Sequence, residues 1–193
     1  MTTVLLTGFE PFGTATSNPS GEIVKQISGD NIVTAILPVA YAGSAERLLE
    51  LIAEHNPDVV ICLGQAEGRT QITPEKIAIN LDDARLADNE GVLRNDVKIL
   101  EDGPDAYFTT LPINKMVEAI KAKGVPAAVS LSAGAFLCNH VFYVAQNKFV
   151  GTKVRSGFVH VPLMDSQAPE FPGLPTMPLD QMVIAVRAML EVL

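Results

Sequence analysis

The stretch "SAERLLELIAEHNPDVVICLG", Ser44 to Gly64, decides the fold. In its first half Leu48, Leu51 and Ile52 recur at helical spacing among charged residues, which predicts an amphipathic helix over 44–55. Asn56-Pro57 then forbids its continuation. The second half, Asp58–Gly64, is an almost unbroken apolar run. Such a run reads as a short strand buried on both faces, as in a parallel or mixed sheet. A helix feeding a doubly buried strand implies a sheet covered by helices on both sides.

Working outward, the same alternation repeats. Strands are expected at Thr3–Gly8, Ile32–Val39, Glu75–Leu81, Ala127–Ser132 and Gly157–Leu163. Asn18-Pro19 is a cap followed by proline at the first helical position, opening a helix to about Gln26. "INKMVEAIKAK" is amphipathic, a further helix should follow Gly134 and carry Cys138, and the last should begin near Leu179. The segment from Asp88 to Pro112 lacks periodicity and reads as loop or short hairpin over the carboxyl edge of the sheet. The expectation is an α/β protein, a three-layer α/β/α sandwich around one open, mostly parallel mixed sheet. Its 193 residues suffice for one domain, 1–193.

The formal charge of -8, with no basic cluster, argues against nucleic acid as a partner. No apolar run is long enough for a membrane helix. The start "MTTVLLTGFEPFG" lacks the basic residues of a secretory signal. With only two cysteines there is no disulfide framework. These features predict a cytoplasmic protein. An apolar fraction of 48% leaves room for self-association.

Chemistry can be sought at Cys138, in "LSAGAFLCNHVFY". A cysteine near a helix start after a strand can be a reactive thiol. Equally, Val141, Phe142, Ala145 and Phe149 share its helical stripe, as around a buried hydrophobe. His140, two residues on, points away from it on a helix, and His55 ends a helix as an ordinary surface histidine. His160, in the apolar strand "GFVHVPL", needs a partner for its ring nitrogens, either backbone or a functional group. Glu75 in "PEKIAINL" alternates onto the face of Ile77, Ile79 and Leu81, which is costly unless it is paired or turned to solvent at the strand end. Cys62 reads as a buried hydrophobe. "LTGFEPFG" has neither the spacing nor the lysine of a phosphate loop. Its phenylalanines suit a small flat ligand. No cluster has metal-ligand spacing, and neither a metal nor another cofactor is expected.

Taken together, "LLTGFEPFG" with "NPS", "GQAEGRTQITPEKIAIN", "DNEG", "GVPAAVSLSAGAFLCNHVFY" and "GFVHVPL" resemble, in order and spacing, the pyroglutamyl-peptidase I (pyrrolidone-carboxylate peptidase) family. The resemblance spans nearly the whole chain and is weakest in "VLRNDVKILED" and the C-terminal tail. It implies a cysteine peptidase, an omega-peptidase that hydrolyses N-terminal pyroglutamate from peptides. It also implies a triad of Cys138 as nucleophile, His160 as base and Glu75 as the group orienting it. Backbone N–H groups around Cys138 would serve as oxyanion donors. By the same resemblance the lactam ring lies between Phe9 and Phe12, with Phe136 and Leu137 nearby. Gln71 would supply a backbone contact, Asn18 a contact to the ring or the nearby loop, and Arg85 would lie near the thiol. Family members are often tetramers, so a homo-oligomer is implied.

Two positions depart from the pattern: Glu67 stands where a small residue is usual, and Val39 where a hydroxyl residue is expected. Two other readings compete. One is a glutamine-amide hydrolase, although "FLCNH" lacks the flanking glycine of a nucleophile elbow. The other is a flavodoxin-like binding module without chemistry.

Overall fold

The structure, a computed structural model, describes residues 2–193. Its elements in chain order are β1 (Val4–Phe9), α1 (Pro19–Gln26), β2 (Ile32–Leu37), α2 (Tyr41–His55), β3 (Val59–Gln65), β4 (Thr73–Pro74) and β5 (Ile77–Ile79). They continue with β6 (Ala106–Phe108), α3 (Ile113–Ala122), α4 (Leu137–Lys148), β7 (Arg155–Val161), β8 (Leu163–Met164), β9 (Thr176–Met177) and α5 (Leu179–Leu190).

Five strands form the main sheet in the order β2-β1-β3-β7-β4. The first four are parallel and β4 is antiparallel to β7. Successive residues of each strand point to opposite faces. Val4, Leu6, Val59, Ile61, Leu63, Val159 and Val161 therefore pack into one core with α1, α3 and α5. Leu5, Phe9, Val60, Cys62 and Phe158 pack into a second core with α2 and α4. The result is the expected three-layer sandwich. No helix among the described residues is long and apolar enough to cross a membrane.

Two expected strands differ, and proline explains the first. The segment Ala127–Ser132 runs beside residues 72–76 as a parallel neighbour. Ile72 N–H donates to Pro126 O, Ala128 N–H to Ile72 O, Ser130 N–H to Pro74 O and Lys76 N–H to Ser130 O. The rung that would link Pro74 to Ala128 is missing because proline has no N–H. Only isolated bridges remain, Ile72 with Ala127 and Glu75 with Ser130. The expected strand Glu75–Leu81 likewise divides. Its start joins β7 through β4 and Glu75 N–H, and its continuation, β5, pairs with β6 out of the 88–112 loop.

Helix α2 begins three residues before its periodic pattern. Ala40 offers no capping side chain, and Asp88 Oδ2 accepts the Tyr41 N–H instead, at 2.9 Å. A cap supplied from 47 residues away leaves no local signal. Helix α1 has its expected cap, with Asn18 Oδ1 accepting the Ser20 N–H at 3.1 Å.

Candidate active site

Strands β3 and β7 end side by side, with Gly64 opposite His160 and Gln65 opposite Val161. Open sheets bind ligands at such carboxyl ends. Helix α4 starts above them and carries Cys138 in its first turn. A Cβ added to Gly64 would lie 2.8 Å from Cys138 Sγ and 2.6 Å from the Phe158 ring. The sulfur thus rests on the glycine that is the register partner of His160.

His160 is buried, and its Nδ1 lies 2.7 Å from Glu75 Oε1. A carboxylate at Nδ1 fixes the proton there and leaves the Nε2 lone pair free. Glu75 is fully buried, and Arg69 satisfies the same oxygen with an Nη1 donor at 2.8 Å. The guanidinium also donates to Thr73 Oγ1, and through Nη2 to the Ser132 carbonyl at 3.0 Å. Glu75 Oε2 has no hydrogen-bond partner among the described residues. The buried carboxylate is therefore paired, and the alternative of a strand-end acid facing solvent does not hold.

Arg69 is absent from the sequence reading. It lies in an irregular turn six residues before Glu75, and no periodicity ties the two together. The only available signal was the cost of an unpaired acid at Glu75, which demands a cation from somewhere.

Burial pushes the Cys138 thiol up to about 12, with the Glu75 charge adding to it and Arg69 opposing. Burial lowers His160 below its usual 6.5, Glu75 pulls it back up, and Arg69 lowers it again. Burial thus favours the uncharged form of both the thiol and the imidazole. Cys62 is fully buried with its thiol raised to about 11, as a core hydrophobe should be.

Cys138 opens onto a cavity of about 190 Å³. Phe9, Phe12, Val39, Phe136 and Leu137 make its apolar walls, and Asn18, Gln65 and Glu67 are its polar members. The rings of Phe12 and Phe136 face each other at 5.3 Å between centroids, tilted by 51°. Phe9 is only 4% exposed and belongs to the core beneath. Phe9 and Phe12 thus both line the cavity, and Phe12 and Phe136 touch each other at its mouth.

Three further residues are expected at the site. Gln71 is exposed and does not line the cavity, because it lies beyond the turn at Gly68. Gln65, the last residue of β3, does line it, and its Oε1 accepts from buried Gln167 Nε2 at 2.9 Å. Asn18 is committed to the loop: its amide donates to Glu10 O while its oxygen caps α1. Arg85 is exposed and lines, with Asp83, a shallower hollow on the outer side of Phe12 and Phe136. The arginine engaged with the site's acid is Arg69.

A second set repeats the same motif. His140 Nδ1 lies 2.9 Å from Asp82 Oδ2, and Arg94 Nη1 donates to that oxygen at 2.6 Å. Here the imidazole stands nearly perpendicular to the Tyr41 ring, with centres 5.5 Å apart, and the Arg94 guanidinium lies over that ring, 4.4 Å from its centre. Tyr41 in turn touches Phe136 edge-on at 5.6 Å. This set braces the aromatic wall, whereas the His160 set adjoins the sulfur.

Comparison with known proteins bears on this geometry. The family model described as pyroglutamyl peptidase matches residues 2–193. A pyrrolidone-carboxylate peptidase of Aliivibrio fischeri is 47% identical over 200 residues, covering 99% of this chain and 94% of its own. The crystal structure of Bacillus amyloliquefaciens pyroglutamyl peptidase I superposes with a TM-score of 0.94 at 43% identity, covering 98% of this chain and 95% of that one. A mutant pyrrolidone carboxyl peptidase from Pyrococcus furiosus gives 0.93 at 38% identity, covering 98% and 97%. The chain belongs to the pyroglutamyl peptidase family.

Proposed function

We propose that Cys138, His160 and Glu75 carry the family reaction in this chain, the hydrolytic removal of an N-terminal pyroglutamyl residue from peptides. The observation that carries this reading is the Arg69–Glu75–His160 relay, joined through the Gly64 contact to a thiol in an aromatic cavity. A neutral five-membered lactam suits the aromatic walls of this cavity, with a few amide groups to orient it. Gln65 Nε2, whose partner oxygen is already occupied by Gln167, is the donor free to take the lactam carbonyl.

His160 Nε2 takes the Cys138 proton as the sulfur attacks the pyroglutamyl carbonyl, because burial favours the neutral thiol. The tetrahedral oxygen is stabilised by unpaired backbone N–H groups in the first turn of α4. His160, now an imidazolium held by Glu75, protonates the leaving amine. Water, deprotonated by the same nitrogen, then cleaves the thioester and regenerates the thiol. Arg69 holds the Glu75 carboxyl in place.

The glutamine-amide hydrolase reading fits less well. Free glutamine carries an ammonium and a carboxylate, and the cavity offers no cation for the latter, since Arg69 is spent on Glu75. Residues 1–193 act as one catalytic domain, working in the cytoplasm on peptides rather than on nucleic acid. The chain assembles as a homotetramer, which would cover Phe108 and Leu131, exposed by 66% and 73%.

The test is hydrolysis of a fluorogenic pyroglutamyl amide, with free glutamine as control, by the wild type and Cys138→Ser. Turnover of the amide alone, lost in the variant, is expected. Turnover of glutamine, or activity surviving in Cys138→Ser, would overturn the reading. Light scattering on the eluted protein checks the tetramer.

A further inference from the structure

We infer that Glu67 selects the residue that follows the pyroglutamyl group, favouring a cationic side chain there. This rests on the peptidase reading above. The cavity at Cys138 is about 190 Å³, enough for a lactam ring and little else. The rest of the peptide must leave through its mouth. Two hollows adjoin it: a groove of about 700 Å³ that shares Phe12 and Glu67 with the cavity, and one of about 220 Å³ that shares Phe12 and Phe136.

The chemistry chooses between them. The leaving nitrogen must receive its proton from His160, so it sits on the β3–β7 side of the sulfur rather than toward the start of α4. The chain beyond β3 stays on that side, since Ala66 N–H donates to Val161 O at 2.9 Å and Glu67 follows directly. The departing peptide therefore passes Glu67 into the larger groove. Phe136 and Arg85 border the other exit.

Within that groove Glu67 is the free charge. Asp88 also lines it, but its oxygens accept the N–H groups of Tyr41, Glu90 and Val92 at 2.9, 3.0 and 2.8 Å. Asn89 is tied to Glu10 and Pro11. No lysine or arginine lines the groove. The Glu67 carboxylate has no ion pair or hydrogen bond among the described residues, so a substrate ammonium or guanidinium would be its first partner. A solvent-exposed attraction of this kind changes kcat/KM by roughly 1.5-fold to fivefold at low salt and fades as salt is added.

The experiment measures kcat/KM for two peptides differing only after the pyroglutamyl group, lysine in one and glutamate in the other. The wild type, Glu67→Gln and Glu67→Lys are compared at low and high ionic strength. The ratio is taken within each protein, so any general loss of activity cancels. Expected is a wild-type preference for lysine that shrinks with salt, disappears in Glu67→Gln and reverses in Glu67→Lys. A wild-type ratio near one, or a preference unchanged in Glu67→Gln, would overturn the inference while leaving the peptidase reading intact. Failure of the wild type to cleave the fluorogenic pyroglutamyl amide would overturn both.

Discussion

Gly64 and His160 are register partners on adjacent parallel strands, and the sulfur of Cys138 occupies the space a Gly64 side chain would need. The absence of one Cβ thus lets the sulfur settle over the strand residue paired with His160. Gly64→Ala places a methyl 2.8 Å from the sulfur and 2.6 Å from the Phe158 ring, and neither neighbour is a flexible end on the surface. Overpacking of this kind costs about 1–3 kcal/mol of stability. Displacing the sulfur by about 1 Å should lower kcat on the order of a hundredfold. Steady-state kinetics beside thermal melts check this. A folded Gly64→Ala enzyme with unchanged kcat would refute the contact's role.

A neutral resting pair has a signature in pH. His160 is the base and burial holds it below 6.5, while the thiol lies near about 12. kcat/KM should therefore rise with pH through a limb lying below 6.5 and then stay level into the alkaline range. Ultraviolet difference spectra between wild type and Cys138→Ser should contain no thiolate band at neutral pH. The linkage has the same sign. Because its folded pKa is depressed, His160 contributes stability that is present above 6.5 and lost as pH falls through the folded value. A bell-shaped profile with an alkaline limb near neutrality would contradict the neutral pair.

Arg69→Gln probes the cation that sequence reading did not find. Arg69 lowers His160, so its removal should move the acid limb of kcat/KM toward higher pH. Losing a charged hydrogen bond to a buried carboxylate costs about 1.5–3 kcal/mol. Arg85→Gln, with its side chain exposed outside the cavity, should leave that limb where it is. The two pH profiles, measured side by side, separate the arginines. A shift caused by Arg85→Gln alone would reverse the assignment.

His140 offers the contrast to His160. His140→Ala leaves the Asp82 carboxylate with Arg94 alone and removes the ring packed against Tyr41. The expected loss is mainly of stability, about 1–3 kcal/mol, with kcat largely retained in the folded fraction. His160→Ala should behave in the opposite way, folded and without turnover. Chemical denaturation paired with active-site titration distinguishes them. A stable but inactive His140→Ala would show that the second set enters the chemistry.

The layered fold was legible in the sequence because both of its periodicities are strong. Asp58–Gly64 is apolar on both faces, and α1 has a proline and an asparagine marking its start. Glu75 stood out as an acid on an apolar face, and that anomaly led to a buried pair. Features that depend on residues far apart were not legible. Asp88 caps α2 from across the chain, Arg69 reaches Glu75 out of an aperiodic turn, and Pro74 interrupts a ladder whose partner lies more than fifty residues on. The exchange of Gln71 for Gln65 has a similar origin. Which of two glutamines faces a cavity depends on where β3 ends and its turn begins, and a single sequence leaves that boundary uncertain by a few residues.

Specificity should reside in the Phe12–Phe136 pair. Phe9 is buried in the core, and truncating it would cost about 3–5 kcal/mol of stability before selectivity could be read. Phe12 and Phe136 are half-buried at the cavity mouth, so each can be shortened with less damage. Pyroglutamate presents an uncharged planar amide to these rings and to Gln65. An N-terminal proline keeps the ring but lacks the lactam carbonyl, leaving a pocket donor unpaired at a cost of about 1–3 kcal/mol. An N-terminal glutamate brings charges into an apolar slot without a cation, a cost of several kcal/mol or about a thousandfold in rate. The expected order of kcat/KM is pyroglutamyl far above prolyl, with glutamyl undetectable. Phe12→Ala and Phe136→Ala should each narrow the gap between pyroglutamyl and prolyl amides. Alkylation of Cys138 by iodoacetamide should be little affected in both variants, and Cys62, fully buried, should stay unmodified. Equal turnover of prolyl and pyroglutamyl amides by the wild type would refute the slot.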